Sequence, residues 1–393
     1  MAWELASFPA ELMGEIPRLE GVDFEIVRPG EAVRITHVLD AVEPRIRPDG
    51  RAAFPTERKA GEGRTNRVSG VVVLPCLDFR REERPLHEQD SVVDMAGPGA
   101  ELAPFAESTA VVLVFRADAG LNNDALEARA RRTALEVAET LARPTLAAGP
   151  EEVERFELEP PGAGLPRIAA LVQLSDLGPL YYQYLYGTPV GRAGLPRVVD
   201  PAELLDGAVT CGEYHWASLR NPTIFHQQNA LVRALYREHG KSLDFAGLVL
   251  TRGYEQGADD KERAARAAAD LALGLEADGA VVTTDGGGNS HTDSMLTVRA
   301  LERAGIRTTV VVAEQNDPAS TEPALVDWVP EADCIVSTGN TEELVPPWKP
   351  ERVLGGDVLL SGKDAREPTP IPVQDYLGAA NQMGQLALTA TTW

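Results

Sequence analysis

Two early stretches, Val22-Asp23-Phe24-Glu25-Ile26-Val27 and Ala32-Val33-Arg34-Ile35-Thr36-His37-Val38, alternate apolar and polar positions with the period of half-buried strands. Residues 68–74 and 110–115 are short continuous apolar runs, which suit strands covered on both faces. Leu126, Ala130, Ala134, Val137 and Leu141 then recur at helical spacing and predict a helix over 124–141, with Asn122 or Asn123 as its cap. Residues 143–166 are rich in Pro, Gly and Glu and read as a long surface connection. A strand over 168–174 follows, and then an aromatic stretch over 181–186.

The second half changes period. Short strands over 248–250, 280–284, 308–313 and 334–337 alternate with helical stretches over 260–276 and 292–304. Another helix is predicted from Asn221, capping before Pro222, to His239-Gly240. Strands and helices alternating at these lengths predict a parallel sheet with both faces covered, whose ligands bind beyond the carboxyl ends of its strands. The fold class expected is α/β overall. A β-rich α+β N-terminal domain precedes a parallel-sheet α/β domain of the Rossmann or flavodoxin-like kind. A length of 393 residues also favours two domains.

Composition narrows the function classes. A formal charge of −23 speaks against a nucleic-acid partner, because phosphate binding needs a basic face. No apolar run long enough to span a membrane appears, and Met1-Ala2-Trp3-Glu4-Leu5 lacks the features of a signal peptide, so a cytoplasmic protein is expected. Cys76, Cys211 and Cys334 lie far apart with no ligand spacing, which predicts neither a metal site nor a disulfide framework. No nucleotide fingerprint is present either.

Four places carry candidate chemistry. The loop Asp285-Gly286-Gly287-Gly288-Asn289-Ser290-His291 follows a predicted strand. It reads as a ligand- or subunit-contacting loop with Asp285, Asn289 and His291 as polar tips, or as a tight turn capped by Asn289 or Ser290. Gly61-Glu62-Gly63-Arg64-Thr65-Asn66-Arg67 is a glycine-hinged loop in which Arg64 could clamp a carboxylate, against the plainer reading of a solvated hairpin. His226, Gln227 and Asn229 form a polar cluster that could face Cys211 or be structural. Cys211 itself follows Thr210 after a run of turn residues. Its thiolate can attack the Thr210 carbonyl and turn the amide into a thioester. Elimination across Cα–Cβ then gives dehydroalanine, which tautomerises and hydrolyses to a pyruvoyl group with loss of ammonia. Glu213 and His215 are the candidate bases, and Gly207 and Gly212 allow unusual backbone angles. The plainer reading of Cys211 is a small buried hydrophobe.

The stretches Val38-Leu39-Asp40-Ala41-Val42-Glu43-Pro44-Arg45, Gly61-Glu62-Gly63-Arg64-Thr65, Val93-Asp94-Met95-Ala96-Gly97-Pro98-Gly99-Ala100 and Val209-Thr210-Cys211 resemble the proprotein subunit of component B of the glycine/sarcosine/betaine reductases, a family related to the D-proline reductase proprotein. The helix from Asn221 and the Thr284–Asn289 loop agree with that resemblance, which covers essentially the whole chain. It implies cleavage before Cys211, dividing the chain into 1–210 and 211–393, and a pyruvoyl cofactor derived from Cys211. It also implies a partner subunit of component B carrying selenocysteine or cysteine, a selenoprotein A-like carrier and a thioredoxin-type reductant. The expected reaction is reductive C–N cleavage of a small amine or amino acid by this hetero-oligomer. Candidate substrate or partner contacts are Arg64, His226, Asp285, Gly286, Gly287, Gly288, Asn289 and His291. Two other readings stay open: an uncleaved scaffold or binding subunit of the same fold, and a different pyruvoyl enzyme such as an amino-acid decarboxylase.

Overall fold

The computed structural model describes residues 2–55, 59–78, 90–116, 123–162, 164–176, 183–211, 217–317, 319, 321, 324–359, 361–385 and 389–391. A seven-stranded sheet organises the molecule, in the spatial order Arg197–Val199, Asp244–Arg252, Arg167–Leu174, Gly279–Thr283, Arg307–Glu314, Ile335–Asn340, Thr389–Thr391. The five inner strands are parallel. Only the two outer ones run antiparallel. Residues alternate between two cores along the strand Arg167–Leu174. Ala170, Val172 and Leu174 join one core, and Ala169 and Leu171 join the other. That burial on both faces explains why these strands read as continuous apolar runs. Helices Ala258–Gly274 and Asn289–Arg303 cover one face, contributing Ala268, Ala269, Ala272, Met295, Val298 and Leu301.

Among the parallel strands, Arg167–Leu174 comes first in the chain, its next partner lies on one side and the third on the other. This is the flavodoxin-like order, one of the two expected, although its first strand lies before residue 211. Its topological switch point falls at the carboxyl ends of Arg167–Leu174 and Gly279–Thr283.

The first half is β-rich. A four-stranded sheet has the order Arg45–Ile46, Gly63–Val68, Trp3–Phe8, Glu152–Phe156, and a three-stranded sheet joins Val22–Val27, Thr109–Arg116 and Val71–Asp78. Helix Asn123–Ala142 packs Leu126, Ala130, Ala134, Val137 and Leu141 onto Val71, Val73, Val111 and Leu113, the stripe its periodicity predicts. The expected caps of this helix lie at or beyond the edge of the described residues.

Three differences have physical causes. The connection over 143–166 holds a strand, Glu152–Phe156, in which Phe156 is buried beside Trp3 while Val153 stays 45% exposed, so no alternation marks it. The helix predicted from Asn221 divides into Thr223–Gln227 and Ala230–Glu238, because the Asn229 side chain accepts the Val232 amide and starts a second helix. Pro222, not Asn221, holds the cap position of the first. The third difference concerns the two chain segments. The seven-stranded sheet takes Arg167–Leu174 and Arg197–Val199 from before Thr210, and Arg352–Leu354 pairs with Val33–Ile35 of the first half. Segments 1–210 and 211–393 are therefore interleaved in one structure rather than separate sheets.

Candidate active site around Cys211

The approach to Cys211 is set by a short helix that is made to unwind. Asp200 and Glu203 form a capping box that starts Pro201–Glu203. The helical run continues through Leu204–Ala208 and breaks at Asp206 and at Gly207, which has φ of +85°. A side chain at Gly207 would stand 2.8 Å from the Ala53 carbonyl oxygen, so glycine is required there on two counts. Unwinding orphans carbonyl groups, and buried arginines take them up: Arg45 donates to Leu205 O, and Arg47 donates to Asp206 O at 3.0 Å.

The Asp206 carboxylate ties this turn to the Gly61–Thr65 motif. It accepts the Gly61 amide at 2.7 Å and the Thr65 hydroxyl at 2.6 Å, and pairs with Arg47 at 2.7 Å. Gly61 has φ of +78°, and a Cβ there would lie 2.8 Å from the Glu203 nitrogen. Gly61 and Thr65 thus hold the turn that leads to the candidate scissile bond. Arg64 lies between them on the strand Gly63–Val68, half-buried, in register with Glu4. The contacts to Asp206 come from its neighbours rather than from its guanidinium.

Thr210 and Cys211 form the end of a strand, Val209–Cys211, which pairs antiparallel with Gln183–Leu185 and sets Gln183 opposite Cys211. Both are buried, Cys211 completely. The Cys211 amide donates to Thr223 Oγ1 at 2.9 Å. That hydroxyl donates in turn to Asp40 Oδ2 at 2.7 Å, while Asp40 Oδ1 accepts the Thr223 amide at 2.8 Å. Asp40 therefore caps the helix Thr223–Gln227 from a segment 183 residues away in the chain. Burial pushes its carboxyl up to about 6, against the hydrogen bonds from Thr223 and Ala41 and the charge of Arg131. Glu43, in the same stretch, accepts the guanidinium of Arg45 at 2.7 Å and the amide of Gln228 at 2.5 Å.

The other side of the site is the switch point of the sheet. Ser175 and Gln183 exchange hydrogen bonds of 3.2 and 3.3 Å, and Ser175 Oγ donates to the Asp285 carbonyl at 3.2 Å. The strand opposite Cys211 is thereby joined to the Asp285–His291 loop. Asp285 is fully buried; its amide donates to Gln173 Oε1 at 2.9 Å. Burial pushes its carboxyl up to about 7, against the influence of Ser175, Gln183 and the Arg220 charge.

Gly286 has φ of +78°, and a Cβ on it would stand 2.5 Å from the Tyr254 hydroxyl. Gly287 accepts Ser290 Oγ at 3.2 Å. Gly288 takes the cap position expected of Asn289 or Ser290, with φ of +58°, a backbone angle that a residue with a Cβ rarely adopts. Asn289 is exposed at the helix start. His291 is buried, facing Gln382 Oε1 at 3.2 Å, and burial holds its imidazole below the usual range. Gln382 also donates to Gly286 O at 2.7 Å. Asp285 and His291 are thus interior groups rather than the polar tips of an open loop.

His226 lies one turn from Thr223 and is fully buried, its imidazole pushed down to about 3 by desolvation. Glu213 and His215, the candidate bases, lie outside the described residues. Asp40, Thr223, Gln183 and Asp206 belong to no sequence motif that marks them as site residues. A buried aspartate inside the apolar run Val38-Leu39-Asp40-Ala41-Val42 was the available signal, since such a carboxylate must have partners.

No described helix is long and apolar enough to cross a membrane. No solved structure matches the chain. The family model described as glycine/sarcosine/betaine reductase component B subunits matches residues 9–365. The glycine reductase complex component B subunits alpha and beta of Acetoanaerobium sticklandii are 30% identical over 98% of this chain and 93% of that protein. The sarcosine reductase complex component B subunit alpha of Peptoclostridium acidaminophilum is 33% identical over 82% of this chain and 76% of that one. The betaine reductase complex component B subunit alpha of the same organism is 32% identical over 86% of this chain and 84% of its own length. A match of this extent establishes that the chain belongs to the glycine/sarcosine/betaine reductase component B family.

Proposed function

We propose that this chain is the substrate-binding subunit of a reductive deaminase, and that it cuts itself between Thr210 and Cys211 to make a pyruvoyl group. The observation that carries the proposal is the placement of Cys211. It ends a strand that Asp206, Arg45 and Arg47 hold by its preceding turn, opposite Gln183 and beside the switch point of the parallel sheet. A relative whose name counts subunits alpha and beta matches 98% of this chain, which supports division of one polypeptide into two.

The residues present fit such a group. Position 211 is enclosed, and its strand partner Gln183 is hydrogen-bonded to Ser175; the nitrogen that Thr223 accepts would leave as ammonia, so burial and the strand partner would hold the new terminus after the cut. A carbonyl at position 211 would supply an electrophile for a primary or secondary amine. The enclosure would exclude water, and the Asp285 loop, joined through Ser175 to the strand opposite Cys211, would lie on the side where an amino acid binds. A selenol or thiol on the partner subunit would then displace the amine from the α-carbon, with a carrier and a thioredoxin-type reductant completing the reduction. The isolated chain would show no turnover.

Labelling with a carbonyl-reactive hydrazide tests this reading. The fragment beginning at residue 211 takes up one hydrazide, and Cys211→Ala takes up none. Equal labelling of both, or none in the wild type, contradicts it. Release of carbon dioxide from an amino acid by the isolated chain would favour a decarboxylase instead.

A further inference from the structure

We propose that Thr223 is the catalytic proton donor to the nitrogen of the scissile Thr210–Cys211 bond, and that Asp40 is the positioning residue that recharges it. This rests on the reading of Cys211 as a self-cleaving residue and supplies the half of the reaction that the thiol cannot perform.

Attack of the Cys211 sulfur on the Thr210 carbonyl forms a C–S bond and a tetrahedral centre. The C–N bond must then break, its electron pair staying on nitrogen. An amide nitrogen is a poor leaving group until it is protonated, and its lone pair becomes basic only when the carbonyl carbon turns tetrahedral. At that moment the nitrogen needs a proton from a group already in contact with it. Thr223 Oγ1, 2.9 Å away, meets that need, and Asp40 Oδ2, 2.7 Å beyond, meets the same need for Thr223. The proton passes from the Asp40 carboxyl to Thr223 and from Thr223 to the amine. The thiol proton leaves to a separate base. The products of this step are a thioester between Thr210 and the Cys211 sulfur and a free amine, with no oxidant or reductant consumed.

Two states of Asp40 do different things. Ionised, it accepts the Thr223 hydroxyl proton, and Thr223 accepts the Cys211 N–H, which is the arrangement of an amide at rest. Protonated, it donates to Thr223 Oγ1, and once the tetrahedral centre has turned the Cys211 N–H aside the hydroxyl proton can point at the nitrogen lone pair. The groups that bear on Asp40 are Thr223, the Ala41 amide and the Arg131 guanidinium, and along the same helix His226 stays neutral. The carboxyl titrates at about 6, so both states are reached near neutrality. Above that pH each gain in thiolate is offset by an equal loss of protonated Asp40, and the cleavage rate is level until the thiol is itself ionised.

The test follows cleavage of the freshly translated full chain by intact mass as a function of time and pH. Thr223→Val slows cleavage by about 100-fold or more, as loss of a general acid does, while Thr223→Ser stays within about tenfold of the wild type. Asp40→Asn is slower, and its rate climbs with pH between 6 and 8 where the wild type is level. A thermal melt of each uncut variant identifies one that has simply failed to fold. Wild-type chain that never cleaves overturns the reading of Cys211 and this role with it. Wild-type chain that cleaves alongside Thr223→Val at the same rate, or Asp40→Asn with a wild-type pH profile, overturns the relay alone.

Discussion

The Gly61 amide donates to the Asp206 carboxylate at 2.7 Å, and this bond fixes a glycine-rich loop of the N-terminal sheet against the turn that presents Thr210 and Cys211. A Cβ at Gly61 would collide with the Glu203 nitrogen and strain a left-handed backbone. Gly61→Ala should therefore destabilise the uncut chain by about 2–3 kcal/mol and slow cleavage. Urea unfolding in a Cys211→Ala background measures the first effect and intact mass the second. An unchanged unfolding midpoint would show that the loop yields freely.

Asp206 and Arg47 form a buried ion pair with further bonds from Thr65 and Gly61. Removing one partner strands the other without solvent, at a cost of about 3–5 kcal/mol. Asp206→Ala should lose at least that much, and the double substitution with Arg47→Met should recover part of it. If the double variant is no more stable than the single one, the cost lies in the lost Gly61 and Thr65 bonds instead.

The strand Arg167–Leu174 lies between Asp244–Arg252 and Gly279–Thr283, so a cut at 210–211 leaves its two neighbours on the other fragment. The fragments should elute together in gel filtration at high salt and part only in denaturant. Dissociation under native conditions would contradict this interleaving.

Asp285 gives the fold a pH dependence whose sign follows from its burial. Its folded carboxyl titrates near 7 against an ordinary value of 3.8. The folded state therefore holds the proton more tightly, and the stability this contributes is complete below about 4 and lost as the pH rises through 7. Asp285→Asn, which cannot ionise, should gain on the wild type between pH 4 and pH 7 by about 2 kcal/mol or more. Denaturant unfolding at the two pH values reads the difference. A constant offset would show that Asp285 is ionised in the folded protein at both.

Sequence periodicity was enough to identify helix Asn123–Ala142 and the inner strands, because their buried stripes and doubly covered runs leave a direct imprint on residue order. The edge strand Glu152–Phe156 left none, since only Phe156 is buried. Cys211 was singled out as a candidate by its chemistry. Asp40 and Thr223 were not, because their contact joins segments far apart in the chain and depends on tertiary packing. Arg64 has the conspicuous chemistry, but Gly61 and Thr65 make the contacts to Asp206.

Every role proposed for the site depends on the chain itself cutting the bond between Thr210 and Cys211. The most direct measurement is the intact mass of the purified protein beside that of Cys211→Ala. Two fragments are expected, 1–210 and 211–393, the second beginning with a pyruvoyl group and closed to N-terminal sequencing, beside an uncut Cys211→Ala chain. A single full-length species from the wild type would contradict it, as would a second fragment that begins with an ordinary cysteine.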